Sequence, residues 1–192
     1  MRRALVIDDH DPSRKDLVRV LTESGFDVVG EASSGAGGLD LASATAPDVI
    51  LMAVGLPDLD GIRAARKLMR ANPLPIILVT SHYDAATIER AKRAGVMGCL
   101  IKPLRAGELL PTVELAISHF QETVALQKEN EDLKKNLLAR KTIERAKGIL
   151  MKREGLSEAE AFSLIQRKSM DMRKPMGEIA QAIIVSQEVT KG

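Results

Sequence analysis

Five short apolar runs recur at regular intervals through the first hundred residues: Ala4–Ile7, Asp27–Val29, Val49–Met52, Ile76–Val79 and Cys99–Ile101. Each is rich in β-branched residues and apolar at consecutive positions, the pattern of a strand buried on both faces. Between them lie amphipathic stretches: Leu17, Val18, Val20 and Leu21 ahead of Gly25, then Gly38–Ala44, Ile62–Met69 and Ala85–Ala94. Strands that alternate with helices form a parallel sheet covered on both faces and joined by right-handed crossovers. The chain is therefore expected to open with an α/β domain, a five-stranded parallel doubly wound sheet.

In such a sheet, ligands bind beyond the carboxyl ends of the strands. The residues that follow the apolar runs are Asp8-Asp9, Ala53, Thr80 and Lys102-Pro103. Two carboxylates, a hydroxyl and an ammonium at one sheet edge suit Mg²⁺ and a phosphoryl group. Asp8 and Asp9 would hold the hard cation, while Thr80 and Lys102 would contact phosphoryl oxygens.

Composition excludes several other classes. At 45% hydrophobic and 28% charged residues the chain can bury cores and is not disordered. No apolar run approaches the roughly 20 residues that span a bilayer. Asp8 and Asp9 come too early for a signal peptide, so a soluble, cytoplasmic protein without membrane contact is expected. Cys99 is the single cysteine, and His10, His82 and His119 are scattered, which excludes a disulfide framework and disfavours a cysteine or histidine metal cluster.

The first part resembles the receiver domain of two-component response regulators over about residues 1–120. The residues that carry the likeness are Val6-Ile7-Asp8-Asp9-His10, Pro47-Asp48-Val49-Ile50-Leu51-Met52, Leu56-Pro57-Asp58-Leu59-Asp60-Gly61, Thr80-Ser81 and Lys102-Pro103. The resemblance implies a pocket of Asp8, Asp9, Thr80 and Lys102, and a cis bond before Pro103. It also exposes two departures. Receivers carry phosphate on an aspartate at the end of the third strand, where this chain has Ala53. A methyl group neither attacks a phosphoryl donor nor ligates a cation, and the loss of one carboxylate weakens any Mg²⁺ site. The switch position, usually a rotating aromatic, is Cys99, expected here as a buried apolar side chain. Asp58 and Asp60 read as ordinary residues of their segment rather than substitute acceptors.

Residues 112–152 contain one glycine and no proline, so a long helix is expected. Val113, Ile117, Phe120 and Val124 step by 4, 3 and 4, as do Leu126, Asn130, Leu133 and Leu137. Both sets suit a coiled-coil seam, and a lone seam Asn favours a dimer. A coiled-coil linker over 112–138 that forms a homodimer is the expectation; otherwise Leu126, Leu133 and Leu137 would stay exposed.

The last part, residues 139–192, carries 11 Lys/Arg against 7 Asp/Glu, while residues 1–138 carry 17 against 19. An acidic front and a basic back suggest that the second part meets a polyanion. Three helices are expected there. Ile143, Ala146, Ile149 and Leu150 stripe the first, which Gly155 ends. Ser157-Glu158-Ala159-Glu160 then reads as a capping box. Ala161, Phe162, Leu164, Ile165 and Met170 would face inward on the second helix, and Ile179, Ala182 and Ile183 on the third. With Phe162 in the core, no stacking platform for bases is expected. This small three-helix all-α domain resembles the ANTAR domain over roughly 138–188. The residues that carry this are Ile143-Glu144-Arg145-Ala146-Lys147-Gly148-Ile149-Leu150-Met151, Gly155-Leu156-Ser157-Glu158-Ala159-Glu160-Ala161-Phe162, Ser169-Met170, Arg173 and Ile179-Ala180.

The resemblance implies binding of stem-loop RNA in nascent transcripts and transcription antitermination, with Lys147 and Arg173 as RNA contacts. Charge alone adds Arg140, Lys141, Arg167 and Lys168. The competing reading is a protein-interaction module, in which the degenerate receiver and coiled coil bind a sensor kinase or sequester another regulatory protein. DNA binding ranks third. An enzyme ranks last, because the one cluster that resembles an active site lacks its nucleophile at Ala53.

Overall fold

The computed structural model describes residues 1–82 and 84–190, with side chains for all of these but 106 and 188–190. Residues 191 and 192 of the expected 139–192 module thus lie outside the described residues. The chain divides into two compact units, Met1–Val124 and Ala125–Gly192.

The first unit alternates β1 (Arg3–Ile7), α1 (Asp11–Glu23), β2 (Asp27–Ala32), α2 (Gly35–Thr45), β3 (Val49–Ala53) and α3 (Gly61–Ala71). It continues through β4 (Ile76–Thr80), α4 (Ala85–Ala94), β5 (Gly98–Ile101) and the start of α5 (Ala106–Glu154). All four strand pairings are parallel, in the order β2-β1-β3-β4-β5. The order reverses between β1 and β3, which places the switch point beside Asp8 and Ala53. Every residue of β3 and β4 is buried, because helices cover both faces. On one face Ile7, Ile50, Met52 and Leu78 pack against Ile62 and Leu68 of α3. On the other, Val6, Leu51 and Ile77 meet Leu17 and Leu21 of α1 and Val113 and Ile117 of α5.

Two expectations change in this unit, and a third is sharpened. β2 runs three residues beyond the apolar run, to Ala32, because an edge strand tolerates exposed Glu31. Ala53 and Thr80, which follow their apolar runs, are the last residues of β3 and β4. Val113 and Ile117 close the receiver core instead of starting a coiled-coil seam. The second seam set is different: Leu126, Leu133 and Leu137 are 65%, 61% and 56% exposed.

The second unit consists of the remainder of α5, α6 (Glu158–Met172) and α7 (Met176–Thr190). α5 ends where Gly155 takes φ +71°, a conformation that costs a Cβ-bearing residue. The capping box forms as expected: the Ser157 hydroxyl accepts from the Glu160 N–H, and the Glu160 carboxylate accepts from the Ser157 N–H. Ala146, Ile149, Leu150, Ala161, Ile165, Ile179, Ala180 and Ile184 make the core. Phe162 and Met170 do not join it; they are 42% and 72% exposed. α6 offers the core Ala161 and Ile165, with Leu164 packed at its edge as expected. On α7 the inward line runs through Ala180 and Ile184, so exposed Ala182 is also corrected.

Candidate functional site

The five-strand register brings the sheet-edge residues together. Ile7 of β1 pairs with Met52 of β3, so Asp8 leaves the sheet alongside Ala53. Lys102 follows β5, with its N–H donating to the Thr80 carbonyl at 2.8 Å, and the Lys102–Pro103 bond is cis. Asp8 is fully buried, and both of its oxygens are engaged. Oδ1 accepts from the His10 N–H at 3.0 Å. Oδ2 accepts from Ser13 Oγ at 2.8 Å and pairs with Lys102 Nζ at 2.7 Å. Thr80 is turned to local use, since its hydroxyl donates to the His82 carbonyl at 2.6 Å and accepts from the His82 N–H. Asp9 is exposed.

Ala53 is buried at 4% exposure, and the chain closes tightly over it. A Cβ on Gly61 would lie 2.0 Å from the Ala53 carbonyl oxygen, so only glycine fits there. The pocket therefore presents a neutralised ion pair where a receiver needs a free carboxylate and a free ammonium. These residues do not fit Mg²⁺. The Lys102 ammonium takes the place beside Asp8 that a dication would need, and no three acidic, His or Cys side chains converge among the described residues.

Asp58 and Asp60 are both committed elsewhere. Asp58 accepts from the Gly35 and Ala36 N–H groups at 2.7 and 2.8 Å, which ties the β3–α3 loop to the start of α2. The Ala36 and Gly35 donors hold its carboxyl below the ordinary value of 3.8. Asp60 caps α3 through the Ile62 and Arg63 N–H groups and pairs with Arg90 at 2.6 Å. Partial burial pushes Asp60 up, but Arg90 and the cap donors outweigh it and hold the group low.

A carboxylate depressed on folding stabilises the fold above its unfolded pKa and loses that contribution as pH falls through the folded value. Asp58→Asn is thus expected to flatten the fall in the receiver's urea midpoint below about pH 4. Parallel curves for the two proteins would contradict this role.

Cys99 departs from its expected burial. It is exposed on edge strand β5, on the rim of an apolar groove of about 180 Å³ that Ile88, Ala91, Val96 and Met97 also line. Partial burial pushes the thiol above its ordinary range.

In the helical unit, the six cations expected at an RNA surface fall into two groups. Arg140, Lys141, Arg167, Lys168 and Arg173 are exposed. None of them forms an ion pair among the described residues. Arg173 caps α6 with φ +51°, a left-handed turn that aims the following chain into α7. Lys147 behaves otherwise. It is 7% exposed and bonded to Glu144 on its own helix and to Glu158 at the start of α6, both at 2.8 Å. These bonds hold its ammonium above the ordinary lysine range and Glu158 below the glutamate range. Lys147 is a clamp between α5 and α6 rather than a free cation. The exposed Phe162, by contrast, is a surface feature that its apolar spacing had hidden.

Comparison with known proteins accords with this division. The response regulator receiver domain family matches residues 4–114, and the ANTAR domain family matches residues 131–184. The chain belongs to the response regulators that join a receiver domain to an ANTAR domain. The transcriptional regulatory protein PdtaR of Mycobacterium tuberculosis is 39% identical over 183 residues, covering 95% of this chain and 89% of that protein. The response regulator GacA of Pseudomonas viridiflava is 36% identical over 120 residues, 62% of this chain and 56% of that one.

Among solved structures, the signal receiver domain of the putative response regulator NarL from Mycobacterium tuberculosis is 34% identical. It superposes with a TM-score of 0.59 over 61% of this chain and 96% of that one. A receiver domain protein from Clostridium thermocellum gives 26% identity and 0.59 over 64% and 99%. Both receiver and ANTAR domains are regulatory. No helix among the described residues is long and apolar enough to cross a membrane.

Proposed function

We propose that this response regulator binds stem-loop RNA in nascent transcripts through its ANTAR domain and promotes transcription antitermination without phosphate on its receiver. The observation that carries the RNA reading is the outer line of α6. Phe162, Gln166 and Ser169 recur at helical spacing, and Arg173 follows at the cap. Phe162 is 42% exposed, and Arg173 on this line, like Arg167 and Lys168 elsewhere on the exposed surface of α6, has no carboxylate partner among the described residues. An exposed ring suits stacking on an unpaired loop base, and free guanidinium groups suit the phosphates on either side. Arg140 and Lys141 extend the cationic surface along α5, whereas Lys147 fixes the α5–α6 angle from within. The chain acts as a homodimer through Leu126, Asn130, Leu133 and Leu137, so that two ANTAR domains meet two stem-loops. It performs no catalysis of its own.

The test is a titration of untreated protein against RNA with two tandem stem-loops, beside a DNA hairpin of matched sequence. RNA-selective binding is expected, and equal affinity for the DNA would overturn the reading. Phe162→Ala should weaken RNA binding about tenfold, the scale of one lost base–aromatic stack. Its helix content should not change, because the ring contributes little to the core. The Ala53 receiver leads to a separate expectation: acetyl phosphate leaves no acid-stable or acid-labile label on the protein. Stoichiometric labelling would show that another carboxylate accepts phosphate despite the bonds that engage Asp8, Asp58 and Asp60.

A further inference from the structure

The receiver unit is acidic as a whole, with 14 Lys/Arg against 16 Asp/Glu over residues 1–124. Half of those cations nevertheless sit on two neighbouring helices. Arg63, Arg66, Lys67 and Arg70 follow one another on α3 at the spacing i, i+3, i+4, i+7, with no acid on that helix. This is the outer stripe, since Ile62, Ala64, Ala65 and Leu68 face the sheet. α4, which packs beside α3, adds Arg90, Lys92 and Arg93 against Glu89 alone. Two of these seven cations are neutralised: Arg90 by Asp60 at 2.6 Å and Lys92 by Glu89 at 3.1 Å. The other five are exposed, with no ion pair among the described residues. Asp40 on neighbouring α2 and Asp84 at the N-cap of α4 are the remaining exposed acids of this helical layer.

A surface that serves only solubility mixes its signs, and like charges at i, i+3 and i+4 repel one another along a helix. The stripe on α3 accepts that repulsion four times over. Its chemistry also narrows the occupant. No large apolar side chain of α3 is exposed to insert into a bilayer or to be buried against a protein. Three of its four cations are arginines, whose forked donors match phosphate oxygens. Seven residues of helix span about 10 Å, enough for two or three consecutive phosphates.

We propose that the α3–α4 face of the receiver is a second polyanion-binding surface, and that its occupant is the phosphate backbone of the RNA bound by the ANTAR domain. The inference rests on the RNA reading above and extends it to the receiver. Backbone contacts of this kind carry no sequence information. The receiver then supplies affinity and salt dependence, and the ANTAR domain supplies selectivity. A receiver without a phosphorylation site thereby keeps a direct part in RNA binding.

The experiment compares the full chain with its Arg63→Gln/Arg66→Gln/Lys67→Gln/Arg70→Gln variant, titrated across several salt concentrations. The RNA carries two stem-loops with single-stranded flanks. Gln keeps helix propensity, and unchanged circular dichroism verifies the fold. The expected result is an affinity loss of about tenfold near physiological salt, with the slope of log K against log salt smaller by about 2. Selectivity for the stem-loops over a scrambled RNA stays unchanged. Arg66→Gln/Arg70→Gln alone should give roughly half of both effects. Equal affinity and slope in parent and variant would overturn the inference while leaving the ANTAR reading intact. No RNA-selective binding by the parent would overturn both. Loss of binding to phosphatidylserine vesicles with RNA affinity retained would overturn it in favour of a lipid surface.

Discussion

Ile165→Ala is expected to unfold the helical unit and abolish RNA binding while the receiver stays folded. Ile165 is fully buried on the inward line of α6, in one core with Ala146, Leu150, Ala161 and Ile184. Truncation of such a side chain costs about 2–5 kcal/mol through lost burial and the cavity left behind. A helical unit of this size has one small core, which rarely supplies more than about 3–5 kcal/mol. The core here consists of eight buried residues, three of them alanine, so the loss matches the whole margin. In urea the receiver transition should hold its midpoint while the helical signal of the second unit is already absent without denaturant. Retention of that signal together with undiminished RNA binding would show that the unit draws its stability from elsewhere.

The receiver was legible because both faces of its sheet are covered. Consecutive apolar residues in β1, β3 and β4 then have no other structural use, and the strand ends follow from where those runs stop. The same logic failed at the two edges. β2 continues through Glu31, and β5 exposes Cys99 and Ile101, because an edge strand needs less burial than a central one. The engaged state of Asp8 was half legible: its neighbours were named, but Lys102 was expected to reach a phosphoryl oxygen rather than Asp8 itself. A missing carboxylate at Ala53 leaves that ammonium one strong partner, and the pair forms. The tie from Asp58 to α2 joins residues 22 and 23 apart in the chain through backbone N–H groups, for which no side-chain pattern is a signal.

In the helical unit, periodicity found the helices and missed their faces. The apolar spacing of α6 places Phe162 inward, yet a helix turns 100° per residue and the core takes Ala161, Ile165 and part of Leu164, which leaves the ring outside. The ANTAR resemblance implies Lys147 as an RNA contact, but the side chain is 7% exposed and engaged within the unit. Glu144 lies one turn before it and was visible; Glu158 arrives from the next helix and was not. Charge position along the chain could have revealed the α3 stripe, since Arg63, Arg66, Lys67 and Arg70 already share one helical face in the sequence. Net charge over residues 1–138 concealed it, because acids elsewhere in the receiver outnumber those cations.

The second large effect is expected from Leu133→Lys/Leu137→Lys, which should convert the proposed dimer into monomers and cut affinity for tandem stem-loops by about 100-fold to 10,000-fold. Leu126, Leu133 and Leu137 lie more than half exposed on α5 and, with Asn130, keep the 4-3-4 spacing of a two-stranded seam. Burial of such leucines against a second copy contributes roughly 1.5–3 kcal/mol for each side chain. The Asn at one seam position favours the paired, in-register state over larger assemblies. Two lysines facing two lysines remove that burial and add repulsion, yet lysine forms helix as readily as leucine, so α5 itself persists. The consequence for RNA is arithmetic. A dimer that holds one stem-loop presents its second ANTAR domain to the next at a high effective concentration, and a monomer does not. Sedimentation should therefore give half the mass for the variant. Its affinity for a single stem-loop should equal that of the parent, and only the tandem RNA should distinguish them. A variant that stays dimeric would place the contact between copies elsewhere. A monomeric variant with unimpaired tandem affinity would show that each ANTAR domain acts alone.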